Sequence, residues 1–174
     1  MNTTGCLMLS FDEYHFKEIN DLLSFDDTYL TGDGIETYPH ITVIYGIDID
    51  RYSIDELSKS LKGKINQYNL LSRYLSAHEV GMFDSKDYDV IKLEFLESSL
   101  LRDIRSLNMD LTKEYEVVSE FDEYKPHSTL AYLVKGLGSG YLRDLPRVYP
   151  LKITGARFSY KESEESDFIN MELF

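Results

Sequence analysis

Glu36-Thr-Tyr-Pro-His-Ile-Thr-Val-Ile-Tyr45 and Glu123-Tyr-Lys-Pro-His-Ser-Thr-Leu-Ala-Tyr132 are two versions of one pattern. Five of their ten aligned positions are identical, and the copies lie 87 residues apart, half the length of the 174-residue chain. A repeat at half the chain length predicts two related lobes rather than a solenoid, whose repeats are shorter. We therefore expect one domain over residues 1–174, made of two interleaved lobes.

Each copy of the pattern places a histidine and a threonine two residues apart after a proline. Proline favours extended backbone at the residue before it, so each histidine is expected to begin a strand. Residues i and i+2 of a strand share a face, which puts His40 beside Thr42 and His127 beside Thr129. If the lobes pack about a pseudo-twofold axis, both pairs face one cleft.

Two imidazoles and two hydroxyls around one point suit a phosphodiester. One histidine removes a proton from the attacking hydroxyl, and the other gives a proton to the leaving oxygen. Histidine suits both tasks because its unperturbed pKa, roughly 6.5, is close to working pH. The hydroxyls of Thr42 and Thr129 can donate hydrogen bonds to the non-bridging phosphate oxygens. This chemistry needs no metal, and no cofactor is predicted.

The segments His40-Ile-Thr-Val43 and His127-Ser-Thr-Leu130 resemble the two His-x-Thr/Ser-hydrophobic motifs of the 2H phosphoesterase superfamily. The resemblance implies a bilobal, LigT-like α+β fold: two pseudo-symmetric lobes with antiparallel sheets around a central cleft, and helices outside. It also implies a metal-independent phosphodiesterase in which His40 and His127 are the acid/base pair and Thr42 and Thr129 hold the phosphate.

The longer strings Gly34–Gly46 and Lys125–Tyr132 resemble a bacteriophage group within that superfamily. Members of this group include anti-CBASS proteins, which degrade the cyclic oligonucleotide signals of CBASS-type immunity. This resemblance implies cleavage of 3′–5′ bonds in a cyclic oligonucleotide. Two alternatives stay open: an enzyme acting on 2′,3′-cyclic phosphate ends of RNA, and a non-catalytic nucleotide-binding module of the same fold.

The charge of the chain bears on which partners it can bind. There are 31 acidic and 18 basic residues, giving a formal net charge of −13. Long nucleic acids are bound mainly by lysines and arginines that neutralise several phosphates, so this balance argues against a long DNA or RNA partner. A small cyclic nucleotide carries few charges and remains a suitable substrate. We expect a monomer or a weak oligomer.

Cellular location is predicted from what the sequence lacks. The single cysteine, Cys6, excludes an intramolecular disulfide framework and a cysteine-based zinc site. No run of 18 apolar residues predicts a transmembrane helix, and the amino terminus does not resemble a signal peptide. We therefore predict a protein that is not bound to a membrane and lies in the cytoplasm, the host cytoplasm if the chain is viral.

Two further side chains are candidates for binding the substrate. Tyr38 lies two residues before His40 and can flank the cleft as a stacking platform, and Lys125 can neutralise a phosphate. Tyr45 and Tyr132 each follow their histidine by an odd number of residues, so a regular strand would direct them away from the cleft. We predict that these two tyrosines belong to the core.

The remaining sequence predicts an alternation of strands and helices that is typical of an α+β protein. The segment 31–37 is predicted to form a rim or lid, and 136–140 a flexible connection. Val90, Leu93 and Phe95 are predicted to be the inward residues of their strand. The predicted elements are strand 6–11, helix 13–24, strand 40–46, a helix from Ser53 to near Gly63, strands 73–83 and 88–96, helix 98–115, a strand from His127, and strands at 148–160 and 167–174.

Overall fold

A computed structural model describes residues 3–26, 34–118, 123–163 and 165–174. The first part of the predicted rim, residues 31–33, lies outside this range. The predicted α+β class is confirmed. In chain order the elements are β1 (Thr4–Phe11), α1 (Glu13–Leu23), β2 (His40–Asp48), α2 (Ile54–Gln67), β3 (Tyr74–Asp84), β4 (Tyr88–Phe95), α3 (Ser99–Glu114), β5 (Ser128–Val134), β6 (Arg143–Tyr160) and β7 (Ile169–Glu172), with short 3₁₀ helices at Ile49–Arg51 and Gly138–Tyr141.

The strands form an antiparallel array in the order β2-β1-β6-β3-β4-β5, and β7 pairs with β6. The 18-residue strand β6 joins two groups of strands. Its residues 143–152 pair with β3, and its residues 153–160 pair with β1. We call β1, β2, β7 and residues 153–160 the first sheet half, and β3, β4, β5 and residues 143–152 the second sheet half.

The helices cover the sheet with amphipathic faces, as their spacing predicts. Helix α3 has its apolar residues three and four positions apart, and Ser98 caps it by accepting a hydrogen bond from the backbone N–H of Leu101 at 3.1 Å. It packs against β2 and β3 and so touches both sheet halves. The buried residues of the three helices are Phe16, Ile19 and Leu23 of α1, Leu57, Leu61 and Ile65 of α2, and Leu100, Leu101, Ile104, Leu107 and Leu111 of α3.

Two element boundaries differ from the predictions. Helix α2 continues through Gly63 to Gln67, because the buried side chains of Leu61 and Ile65 outweigh the weak helix propensity of one exposed glycine. Strand β6 begins at Arg143 rather than at 148. The early part of this strand is fixed by its pairing with β3, which a single-segment pattern does not reveal.

The inward face of β4 was predicted incorrectly at one position. Ile91 is fully buried, whereas Val90 is half-buried and lies on the opposite face with Lys92. The core face also carries Asp89, which is 2% exposed and accepts hydrogen bonds from the N–H groups of Gly136 and Gly138 at 2.9 and 2.8 Å. A buried carboxylate therefore interrupts the apolar pattern of β4, and its hydrogen bonds link the glycine-rich connection 136–140 to this strand.

Candidate active site

The two histidine-bearing segments come together although β2 and β5 lie at opposite ends of the strand order. Residues leading into each strand bond to the other strand. The N–H of Glu36 donates to the carbonyl of Leu130 at 2.8 Å, and the hydroxyl of Tyr124 donates to the carbonyl of Thr42 at 2.8 Å. These reciprocal bonds hold the two copies of the motif edge to edge.

Both imidazoles are held by the same backbone contact. His40 Nδ1 lies 2.6 Å from the carbonyl oxygen of Tyr38, and His127 Nδ1 lies 2.7 Å from that of Lys125. A carbonyl oxygen only accepts hydrogen bonds, so Nδ1 carries the proton in both rings. The neutral ring then has an unprotonated Nε2, which is the nitrogen able to exchange a proton with a ligand.

A β-bulge follows the threonine in each copy of the motif. In β2, Thr42 pairs with Met8 and Ile44 with Leu7, which leaves Val43 as the extra residue. In β5, Thr129 pairs with Lys92 and Ala131 with Ile91, so that Leu130 is the extra residue. Val43 and Leu130 occupy the same motif position, and a bulge there reverses the face of the side chains that follow it up to Tyr45 and Tyr132.

Both bulges are fixed by hydrogen bonds from other elements. The side-chain amide of Asn108, on α3, donates to the carbonyl of Val43 at 2.8 Å. The carbonyl of Leu130 accepts from the N–H of Glu36 at 2.8 Å, as described above. Since a bulged residue loses its place in the strand ladder, these two bonds satisfy carbonyls that would otherwise lack a strand partner.

The bulges bring two tyrosines to the histidine-bearing face, and the prediction that they belong to the core was wrong. Tyr45 is 50% exposed and pairs with Cys6, which lies on the same face of β1 as the partner of Thr42. Tyr132 is half-buried and pairs with Val90, on the face of β4 that carries Lys92. The prediction assumed a regular strand, which neither segment is.

His40 lies in polar surroundings. The Tyr38 ring stacks on its imidazole with centroids 5.5 Å apart and an interplanar angle of 27°. The Tyr38 hydroxyl is hydrogen-bonded to Ser10 Oγ at 2.5 Å, and the guanidinium carbon of Arg157 lies 3.6 Å from the Tyr38 ring centroid. Arg157 donates in turn to Glu172 at 2.5 Å. Tyr38 thus stacks on His40, with its hydroxyl bonded to Ser10 and its ring covered in part by Arg157.

His127 lies in more apolar surroundings. The Phe83 ring meets its imidazole edge to face, with centroids 4.7 Å apart. Burial lowers the pKa of His127, and the charges of Lys92 and His40 lower it further, whereas the backbone bond to Lys125 opposes the shift. The neutral form of this imidazole is therefore favoured.

Lys92 is a residue of this site that the sequence analysis missed. It pairs directly with Thr129, so the two side chains share a face, and it is only 8% exposed. Its Nζ lies 2.7 Å from Glu94 Oε1. A Cβ on Gly81 would lie 2.3 Å from that same oxygen, so the glycine makes room for the carboxylate. The sequence feature that could have pointed to Lys92 is its place as a charged residue inside the predicted strand Val90-Ile-Lys-Leu-Glu-Phe95.

The two predicted phosphate-holding threonines and Lys125 differ in exposure. Thr129 is 8% exposed, whereas Thr42 is half-buried and hydrogen-bonded to the thiol of Cys6. Burial raises the pKa of that thiol to about 12. Lys125 is exposed, and its ammonium lies 3.3 Å from Glu123. Its carbonyl, rather than its ammonium, is the group that contacts the imidazole of His127.

A cavity of about 250 Å³ opens beside the second copy of the motif. It is bounded by β4, by α3 and by the segment that leads into β5. Its lining contains both cations and carboxylates: Lys92, Glu94, Phe95, Leu101, Arg105, Glu123, Tyr124, Lys125 and Pro126.

Metal binding and membrane insertion each need a characteristic arrangement of side chains within the described residues 3–26, 34–118, 123–163 and 165–174. Within these ranges, no group of three or more His, Cys, Asp or Glu side chains is arranged to hold a metal ion. None of the helices in the same ranges combines the length and apolar character needed to cross a membrane.

Solved structures with a similar fold match over nearly the whole chain. LigT of E. coli in its apo form matches with a TM-score of 0.63 and 10% identity, covering 100% of this chain and 96% of that one. TT0787 of Thermus thermophilus gives a TM-score of 0.65 and 14% identity, with coverages of 98% and 95%. A crystal structure described as a phosphoesterase gives 0.62 and 10%, with coverages of 100% and 97%.

No family model matches the sequence, and the search of curated proteins gives no match either. At identities of 10% to 14% the likeness to solved structures establishes the fold. The chain has a LigT-like α+β fold, as the sequence predicted.

Proposed function

We propose that this protein is a metal-independent phosphodiesterase of the 2H type, with His40 and His127 as the proton-transferring pair. The observation that carries the proposal is the matched geometry of the two imidazoles. Each donates its Nδ1 proton to the carbonyl two residues before it, on segments that are bonded to one another. Two equivalent Nε2 atoms are what an acid and a base acting on one phosphorus require.

The surroundings of the two rings support a division of roles. His127, whose pKa is lowered, acts as the base and removes the proton of the attacking hydroxyl. His40 acts as the acid in its doubly protonated imidazolium form, which keeps the Nδ1 proton on the Tyr38 carbonyl and gives the Nε2 proton to the leaving oxygen. A new O–P bond forms from the attacking oxygen while the bond to the leaving oxygen breaks. Thr42 and Thr129 donate hydrogen bonds to the non-bridging oxygens, where charge changes during the reaction.

We propose a small cyclic oligonucleotide as the substrate, cleaved at a 3′–5′ bond, in the role of the bacteriophage anti-CBASS proteins. A net charge of −13 disfavours long polyanions but tolerates a ring with two or three phosphates. Other structures of E. coli LigT contain 3′-AMP, ATP or NADP⁺, which are small nucleotides. A ribose 2′-hydroxyl beside the scissile phosphate would serve as the internal nucleophile.

The tyrosines on the histidine-bearing face are proposed to receive the bases. Tyr45 is half-exposed on that face, and Tyr132 occupies the equivalent position in the second copy. A base stacked on an aromatic side chain gains about 1–3 kcal/mol. Tyr38 is proposed to contribute mainly by holding His40, and Lys125 to attract a phosphate at the rim. We further propose that the chain acts as one two-lobed domain, a monomer or weak oligomer, in the cytoplasm.

The test compares kcat/KM for a cyclic dinucleotide and a cyclic trinucleotide with that for an RNA oligomer ending in a 2′,3′-cyclic phosphate. All reactions use one salt concentration, with and without EDTA. We expect faster cleavage of a cyclic substrate and no loss of activity in EDTA. Preference for the RNA end would favour the first alternative, and tight nucleotide binding without turnover would favour the non-catalytic module. Loss of activity in EDTA that Mn²⁺ restores would exclude the metal-independent mechanism.

A further inference from the structure

We propose that Lys92 binds the scissile phosphate beside Thr129, and that Glu94 holds the lysine in place for that contact. This inference deepens the proposed function and rests on it for the identity of the bound group. It assigns a phosphate-binding role to a residue outside both copies of the repeated motif.

The position of Lys92 is the first support. Its direct strand partner is Thr129, so the ammonium-bearing side chain and the threonine hydroxyl extend from the same face of the sheet. The Nζ atom lies 4.3 Å from the centroid of the Phe83 ring, and the same ring packs edge-on against His127. The ammonium therefore shares one aromatic side chain with the proposed base.

The burial of Lys92 is the second support. A lysine that is 8% exposed incurs a desolvation cost that is usually offset by close polar partners. Among the described residues, the one hydrogen-bond partner of its ammonium is Glu94, at 2.7 Å. An ammonium has three donors, so this bond leaves capacity for an anion.

The Glu94 carboxylate reaches its position because of a local sequence feature. Gly81 pairs with Lys92 on the neighbouring strand β3, and a Cβ added there would lie 2.3 Å from Glu94 Oε1, so a larger residue would displace the carboxylate from its present position. The carboxylate is 41% exposed, so water can take over its hydrogen bonds when the lysine turns toward a phosphate. Glu94 thus keeps the ammonium on the cleft face without enclosing it.

In the part of the chain that the structure describes, the equivalent place in the first sheet half has no such cation. The direct partner of Thr42 is Met8, and the next residue along that row is Arg157. Arg157 is one strand further away and is held by Glu172 over the Tyr38 ring. We therefore assign the phosphate-binding cation of the site to the second sheet half.

The test measures binding of inorganic phosphate and of 3′-AMP by calorimetry, with no turnover involved. We expect Lys92→Met to weaken both probes about ten- to a hundredfold, as for loss of a charged hydrogen bond. Lys92→Arg should recover most of that affinity. Glu94→Gln keeps an oxygen that accepts a hydrogen bond from the ammonium but removes a negative charge beside the anion, so it should strengthen binding. Lys59→Met, which removes an exposed lysine of α2, is the charge-matched control and should leave both affinities unchanged.

A second readout separates phosphate binding from a structural role. The groups that act on the charge of His127 are Lys92, His40, Glu94 and the Lys125 carbonyl. NMR titration of the folded Lys92→Met protein should show the pKa of His127 raised, because a neighbouring positive charge has been removed. A Lys92→Met protein that melts with the wild type but binds both probes equally well overturns the proposal. If that variant does not fold, an unchanged affinity in Glu94→Gln overturns it instead.

The two proposals fail in different ways. Wild-type protein that cleaves no phosphodiester, but whose probe affinity depends on Lys92, refutes the proposed function and supports the phosphate contact. If the wild-type protein cleaves a cyclic dinucleotide but Lys92→Met leaves the affinity for both probes unchanged, the proposed function is supported and the phosphate contact is refuted. Wild-type protein that binds neither probe overturns the Lys92 assignment.

Discussion

The two copies of the His-x-Thr motif share a sequence and a backbone geometry but not an environment. His40 is stacked on Tyr38, whose hydroxyl and ring are engaged by Ser10 and Arg157. His127 packs edge to face against Phe83, and the ammonium of Lys92 lies over that same phenylalanine ring. The repeat thus sets the tautomer of both imidazoles, whereas the neighbouring strands, which are not repeated, make the two rings chemically different.

The largest effects are expected when one of the two imidazoles is removed at a time, which tests whether both copies of the motif act in catalysis. We expect His40→Ala and His127→Ala each to lower kcat by about 10²- to 10⁴-fold, which is typical of a lost general acid or base. The double variant should lose much less than the product of the two effects, since the pair acts as a unit. Steady-state kinetics and melting temperatures check this.

His15→Ala is the matched control for these variants, because His15 lies outside both copies of the motif, on α1 beside Glu18 and Tyr149. Its activity should equal that of the wild type. Wild-type rates in either motif variant would show that the repeat is a structural feature without a role in catalysis.

Replacing the bulge-directed tyrosines tests whether the two copies hold bases in equivalent ways. We expect Tyr45→Leu to lower kcat/KM for a cyclic dinucleotide by about 5- to 150-fold, the equivalent of losing one base stack of about 1–3 kcal/mol. Tyr132→Leu should have a smaller effect, because its ring is half-buried and already packs against Tyr88. Exposed Tyr14 provides the control, as Tyr14→Leu. Equal kinetics for all three variants would contradict the stacking role.

The bulges can be tested through Asn108, which bonds to the first bulge only. Asn108→Leu removes the donor for the carbonyl of Val43, and we expect a loss of about 1–3 kcal/mol in the free energy of unfolding. The catalytic rate should fall as well, because Thr42 and Tyr45 depend on the bulge for their common face. Denaturant unfolding and kinetics measure both effects. Exposed Asn66, changed to leucine, should alter neither.

The smallest expected effect is on pH dependence. Because the pKa of His127 is lowered, the base stays neutral to a lower pH than an ordinary histidine. The rate falls as the pH drops through that pKa, so the acidic limb of kcat/KM should lie below about 6.5, the usual histidine value. Lys92→Met should shift this limb upward. A limb above about 6.5 in the wild type would reverse the assignment of acid and base.

The α+β order could be predicted from the sequence because it depends on local pattern. The roles of the two histidines and the two threonines stay predictions, while the structure brings the two motif-bearing segments together. The tyrosine faces were predicted incorrectly, since a bulge is defined by two residues opposing one on the partner strand. Lys92 could not be placed beside Thr129 for the same reason: their contact depends on the register of β4 against β5, which no local pattern encodes. The features that could not be predicted from the sequence are therefore those that depend on how neighbouring strands pair.

The shared strand β6 also limits how such a chain can change in evolution. Most insertions and deletions are absorbed by loops, but β6 runs without a loop from residues 143–152 in the second sheet half to residues 153–160 in the first. One residue inserted near 152 would invert the alternation of everything that follows it. Arg157 would then turn toward the core, and buried Ala156 would take its place beside the Tyr38 ring. We therefore expect the length of this strand to be inherited unchanged, even where homologous loops differ freely.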